Sequence, residues 1–141
     1  MLTFKRFLTE QVVIGPVTRN RPKMAPGGID RARNMLASAL NNTDRGVKRL
    51  MAVEDGQVIG AISYYPHKKR WVIDRMGSLK KGTGTALLKQ VIDAARAAKA
   101  ERIELWATDT SDSFYGPFGF KDTGDETTGK GHKVLLLQPE S

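Results

Sequence analysis

Lys80-Lys81-Gly82-Thr83-Gly84-Thr85-Ala86-Leu87-Leu88 is a glycine-bearing turn that runs directly into an alanine-rich amphipathic helix. The apolar segment 71–76 comes just before it. A strand, a turn rich in backbone N–H groups and a helix N-terminus together hold phosphate oxygens well. The first N–H groups of a helix are unpaired, and the helix dipole is positive there. Gly82 and Gly84 admit backbone conformations closed to other residues and let a ligand come close. The stretch lacks the Gly-Lys-Ser/Thr ending of a Walker loop and the spacing of a dinucleotide fingerprint. Read alone, it suits a phosphate-bearing ligand or an ordinary tight turn capped by threonine.

Outward from this turn, 85–98 reads as the strongest helix. Leu87, Leu88, Val91, Ile92 and Ala95 form its apolar stripe. Residues 102–107 alternate as a strand. With the strand at 71–76 they make a β–α–β crossover, which requires parallel pairing. Upstream, 47–53 and 57–65 are two strands joined by the hairpin turn Glu54-Asp55-Gly56. Residues 66–70 are a basic turn. Residues 30–40 form a helix ended by Asn41-Asn42, and 14–28, rich in Gly and Pro, read as a long loop. A first strand is expected within 1–7. Downstream, 111–119 is a short helix or turn, Phe120-Lys121 leads into a strand, and 134–137 closes the sheet. No repeat, low-complexity tract or linker divides the chain, so 1–141 reads as a single domain.

Composition narrows the chemistry. The 141 residues are 40% apolar and 27% charged, which is globular rather than disordered. There is no cysteine, which excludes disulfides, thiol nucleophiles and thiolate metal sites. His67 and His132 are far apart in sequence, so no metal site is expected. No apolar run reaches the ~20 residues of a membrane span. The first residues carry too little apolar sequence for a signal peptide, so a cytoplasmic location is expected. The net charge of +8 favours anionic partners, whether nucleic acid, a nucleotide or an acidic protein. It also suits a solvated charged surface, because the cations are spread along the chain.

A second constellation follows some 30 residues on: Ser111-Asp112-Ser113-Phe114-Tyr115-Gly116-Pro117-Phe118-Gly119-Phe120. Together the two stretches resemble the GNAT family, the acetyl-coenzyme-A-dependent N-acetyltransferases. Its pyrophosphate loop reads Gln/Arg-x-x-Gly-x-Gly/Ala. Lys81-Gly82-Thr83-Gly84-Thr85-Ala86 is similar, with Lys81 where Gln or Arg is usual. The family's later signature, an aromatic-tyrosine pair followed by Gly-Phe, is matched by Phe114-Tyr115 and Phe118-Gly119-Phe120. The resemblance spans about 47–137. It implies an α/β fold with a mixed, mostly antiparallel sheet, flanking helices and one splayed parallel strand pair.

The resemblance also assigns roles. Acetyl-CoA would be the acyl donor, its pantetheine arm lying in the splay against the backbone of Met76, Gly77 and Ser78. The N–H groups of Gly82, Thr83, Gly84, Thr85 and Ala86 would cradle the pyrophosphate. Lys81, with Lys80, would add charge-assisted contacts. Lysine keeps the positive charge but loses arginine's bidentate fork. Ser111 and Ser113 would hydrogen-bond the cofactor or simply cap the short helix, and Phe114 and Phe118 would bind it, with Phe118 flanking it, although both suit packing. Tyr115 would protonate the departing thiolate; a phenol of reference pKa ~10 is a workable donor. The same tyrosine also suits a core aromatic cluster. A carboxylate would deprotonate the acceptor amine, and Asp74 is best placed, with Glu104 and Asp109 as alternatives. Asp74 equally suits a surface pair with Arg75. Trp71, Trp106 and Tyr65 fit either an acceptor pocket or the core.

The leading expectation is thus direct transfer of acetyl from acetyl-CoA to a primary amine in a ternary complex. The alternatives are a basic nucleic-acid-binding module, an acetyltransferase toxin acting on aminoacyl-tRNA, or a CoA-binding member without turnover. A homodimer is compatible with each. The acceptor is not legible.

Overall fold

The computed structural model describes residues 12–108, 112–124, 127 and 130–137. The strand expected within 1–7 lies outside them. The described elements are β1 (Val12–Pro16), α1 (Asp30–Asn41), β2 (Lys48–Glu54), β3 (Gln57–His67), β4 (Arg70–Ser78), α2 (Thr83–Ala97), β5 (Arg102–Trp106), α3 (Asp112–Tyr115), β6 (Lys121–Asp122) and β7 (His132–Leu136). One 3-10 turn, Gly116–Phe118, follows α3.

The strands form one seven-stranded sheet in the order β1-β2-β3-β4-β5-β7-β6. Among the described strands only β4 and β5 pair in parallel, and every other neighbouring pair is antiparallel. The β–α–β crossover is therefore as its pattern required, with α2 as the connection. The β2–β3 hairpin turns on Asp55 and Gly56, both at positive φ (52° and 76°). That backbone matches the twist of the flanking strands. Strand β1 corrects the sequence reading, in which 14–28 was loop throughout. Val12-Val13-Ile14 pairs with Ala52–Glu54, and Pro16 ends this edge strand, where its missing N–H costs little.

A helix covers each face of the central strands. Leu36, Ala39 and Leu40 of α1 bury with Met51, Val58 and Ala61. Leu87, Leu88, Val91 and Ile92 of α2 bury on the other face with Ile59, Ile62, Tyr64, Trp71, Ile73 and Ile103. Sandwiched between them, β3 is buried continuously from Val58 to Tyr64. It therefore loses the alternation of a half-solvated strand. Each large apolar side chain buried this way contributes about 1.5–3 kcal/mol. Tyr64 is buried and stacks on Trp71 at 5.6 Å, whereas Tyr65 is half-buried, as their adjacency requires.

Candidate active site

The site begins with an incomplete pairing. Strand β4 runs to Ser78 and β5 to Trp106, yet they pair only at Arg70, Trp71 and Val72 with Arg102, Ile103 and Glu104. Beyond Val72 the strands diverge. A cavity of about 690 Å³ opens in the splay. Ile73 to Lys80 line one side, Leu105, Trp106 and Thr108 the other, and α1 contributes Arg31, Ala32 and Met35.

Strand geometry decides which backbone groups face this gap. The Leu79 N–H donates to the Ile59 carbonyl at 2.8 Å. Successive residues point their polar groups to opposite edges, so Gly77, like Leu79, bonds toward β3. Met76 and Ser78 turn theirs toward the splay. Gly77 lines the cavity, but its N–H and C=O face β3 rather than the splay, unlike the expectation for it. Its role is packing: a Cβ there would stand 2.3 Å from the Leu36 N and 2.6 Å from its Cα. Only glycine lets α1 lie this close to β4.

The glycine turn closes one end of the cavity. Gly82 adopts φ 89° and caps α2, so the helix starts two residues earlier than its pattern suggested. The Thr83 N–H donates to the Lys80 carbonyl (3.1 Å) and the Ala86 N–H to the Gly82 carbonyl (3.1 Å). Those two donors are spent within the loop and helix, which corrects their place in the cradle. The N–H groups of Gly82, Gly84 and Thr85 bond to none of the described residues and stand at the cavity wall. Thr83 is buried, and its methyl packs beneath Gly60. Gly84 is helical, so its value is space: an added Cβ would meet Met76, Phe114 and Ser78 at 3.7–3.8 Å. The loop's two lysines differ. Lys80 is held by Glu54 at 2.7 Å, whereas Lys81 has no ion-pair partner among the described residues.

The aromatic signature supplies the far wall. Phe114 and Tyr115 line the cavity, with rings 5.1 Å apart and edge to face. Tyr115 also packs on Phe120 at 5.7 Å. Burial raises its pKa above the usual phenol value. Its hydroxyl bonds to none of the described residues. Phe118 sits behind Phe114 at 5.3 Å and does not line the cavity. Ser113 is exposed and away from it as well. Ser111 and Asp109 lie outside the described residues.

Asp74 lines the same cavity as Tyr115. Its Oδ2 accepts from Asn42 Nδ2 (2.9 Å) and Ser63 Oγ (3.1 Å). It is not paired with Arg75, the surface alternative. Sequence reading took Asn42 only as a helix stop, and missed Ser63, Arg31, Met35 and Arg75. Only the i, i+4 spacing of Arg31 and Met35 signalled a shared face. Glu104 is otherwise committed. Its carboxylate takes Arg70, Arg102 (2.9 Å) and His132 (2.9 Å). Burial pushes its pKa up, but the hydrogen bonds outweigh burial and hold it at about 2. It remains ionised and fully engaged. Trp106 lines the cavity with its ring on His132 at 5.0 Å, and Trp71 and Tyr65 do not.

The residues fit a coenzyme A thioester in kind: a gap between two strands with backbone groups facing in, and three N–H donors and a lysine that have no partner among the described residues. The family model of the acetyltransferase (GNAT) domain matches residues 28–137, and the chain belongs to the GNAT acetyltransferase family. No curated protein matches the sequence. Among solved structures, Tetrahymena GCN5 aligns at TM-score 0.66 with 13% identity, over 92% of this chain and 98% of that one. A GNAT family acetyltransferase from Staphylococcus aureus Mu50 aligns at 0.65 with 15% identity, over 90% and 99%. One from Elizabethkingia anophelis with acetyl-CoA bound aligns at 0.59 with 16% identity, over 91% and 99%. At these identities the likeness is one of fold.

Proposed function

We propose that the chain transfers the acetyl group of acetyl-CoA to a primary amine by direct attack, with Tyr115 as general acid and Asp74 as general base. One observation carries this reading: Tyr115 and Asp74 line a single cavity whose end is the loop with the free N–H groups. Acetyl-CoA supplies an acyl group on a thiol leaving group. The N–H groups of Gly82, Gly84 and Thr85, with Lys81, hold its pyrophosphate, and Met76 and Ser78 hold its arm by backbone. A lysine-like amine has a pKa of ~10.4 and must lose a proton before it attacks. Asp74 takes that proton at Oδ1, while Asn42 and Ser63 fix its Oδ2. The Tyr115 hydroxyl gives its proton to the departing sulfur.

Thiol release from acetyl-CoA across an amine panel tests the reading. Release that depends on an amine, and falls in Tyr115→Phe and in Asp74→Asn, is expected. Binding of coenzyme A by calorimetry with no release for any amine would overturn the transfer step. Unchanged turnover in Tyr115→Phe would overturn its acid role alone.

A further inference from the structure

In a regular strand, Asp74 and Arg75 would point to opposite faces of the sheet. Here they do not. Tyr64 pairs with Ile73 and the next residue, Ser63, with Arg75, which leaves Asp74 as the extra residue of a β-bulge. Asp74 bonds to Ser63, the residue opposite Arg75, so the bulge brings both side chains to the α1 face. Both line the splay cavity. Asp74 and Arg75 form no ion pair with each other. Arg75 bonds to none of the described residues, although the carboxylate is its chain neighbour. A carboxylate with one oxygen unengaged and an unspent guanidinium thus stand side by side on one wall.

The other cations of the cavity have different positions. Lys80 is held by Glu54, and Lys81 belongs to the glycine turn. Arg31 opens α1 at the end that packs on Leu79, because a Cβ on Gly28 would meet Leu79 Cδ2 at 2.8 Å. These three gather at the phosphate end. Arg75 stands apart from them, beside the proposed base.

We propose that the acceptor is a small amine carrying an anionic group next to its amino group, a carboxylate or phosphonate, with the anion on Arg75 and the amine at Asp74. The proposal rests on the acetyl-transfer reading above and names its substrate class. A guanidinium matches either oxyanion in bidentate fashion. A neighbouring carboxylate would repel an anion that arrived without its amine. The pair therefore selects the zwitterion over both the simple amine and the simple acid.

Matched acceptors test it: L-amino acids, their C-terminal amides, and 1-aminoalkylphosphonates, each with acetyl-CoA. Thiol release is read for the parent, Arg75→Met and Arg75→Lys, together with calorimetric binding of each acceptor to the protein–CoA complex. We expect at least one acid or phosphonate to exceed its uncharged counterpart in kcat/KM by about tenfold or more. Arg75→Met should abolish that preference mainly through KM, and Arg75→Lys should restore part of it. The carboxylate and phosphonate arms show which anion is favoured. Thiol release with acids no better than amides overturns the anion site and leaves acetyl transfer standing. No release from any acceptor, with acids still bound more tightly than amides, overturns acetyl transfer and keeps the anion site. Acids that show neither advantage overturn the proposal.

Discussion

Tyr115 shows how much a single residue's surroundings decide. Burial raises its pKa above the usual phenol value of ~10, so the phenol is protonated at pH values below that. A general acid must be protonated to act, so its titration removes no activity below that pH. The expected profile of kcat/KM therefore rises with pH as the acceptor amine deprotonates, with no falling limb from Tyr115 before pH ~10. Tyr115→Phe should lower kcat by about 10²–10⁴-fold, measured by thiol release at saturating acetyl-CoA. Tyr115 stood out as a candidate because the aromatic pair and Gly-Phe stand in fixed order. Gly77 was legible only through the resemblance, which turned its backbone toward the cofactor arm. Which edge of the strand its backbone faces depends on register with β3, and no local pattern encodes that. Gly77→Ala would push a Cβ into the α1 backbone, which no rotamer can relieve. A loss of about 1–3 kcal/mol in urea unfolding is expected.

Helix α2 and its turn separate stability from binding. Leu87 is fully buried, and Leu87→Ala should cost about 2–5 kcal/mol by urea titration. Gly84 is the opposite case. An added methyl meets only ordinary contacts with Met76, Phe114 and Ser78, but it occupies the mouth of the splay. Gly84→Ala should leave the thermal midpoint near the parent's and weaken coenzyme A binding in calorimetry. The helix was legible because its apolar stripe is long and regular. Its first residues were not, since Gly82 starts the helix from a left-handed conformation that carries no side-chain signal. Strand β1 was hidden for a similar reason. Five residues ending in Gly15-Pro16 look like punctuation until β2 supplies a partner. The bulge at Asp74 was invisible, because an extra residue in one strand is defined only against its neighbour.

At the scale of the molecule, the β2–β3 hairpin and the parallel pairing of β4 with β5 were legible, whereas the edge place of β1 and the insertion of β7 between β5 and β6 were not. The assignment of cations was not legible either. Which lysine or arginine is spent in an ion pair depends on contacts as distant as Glu54 with Lys80. The same holds for Glu104, whose partners come from β4, β5 and β7. Its folded pKa of about 2 is below the ordinary carboxyl value of 4.5. A depressed pKa gives stability that is present above pH 4.5 and lost as pH falls through the folded value near 2. Urea unfolding between pH 6 and 2.5 should therefore show an acid loss on the order of 2 kcal/mol that Glu104→Gln lacks. The variant should also be less stable than the parent at neutral pH, because Arg70 and Arg102 lose their counter-charge.

The short pairing of β4 with β5 has a mechanical consequence. The sheet is two half-sheets joined at Arg70, Trp71 and Val72, with Glu104 tying Arg70 across the joint. Ser78 lies six residues beyond Val72, about 20 Å at ~3.3 Å per residue. This arm acts as a lever with its pivot at the joint. A rotation of roughly 5° at the pivot would move the far end by about 2 Å. The Arg70–Glu104 pair thus lies at the pivot of the splay without lining the cavity itself.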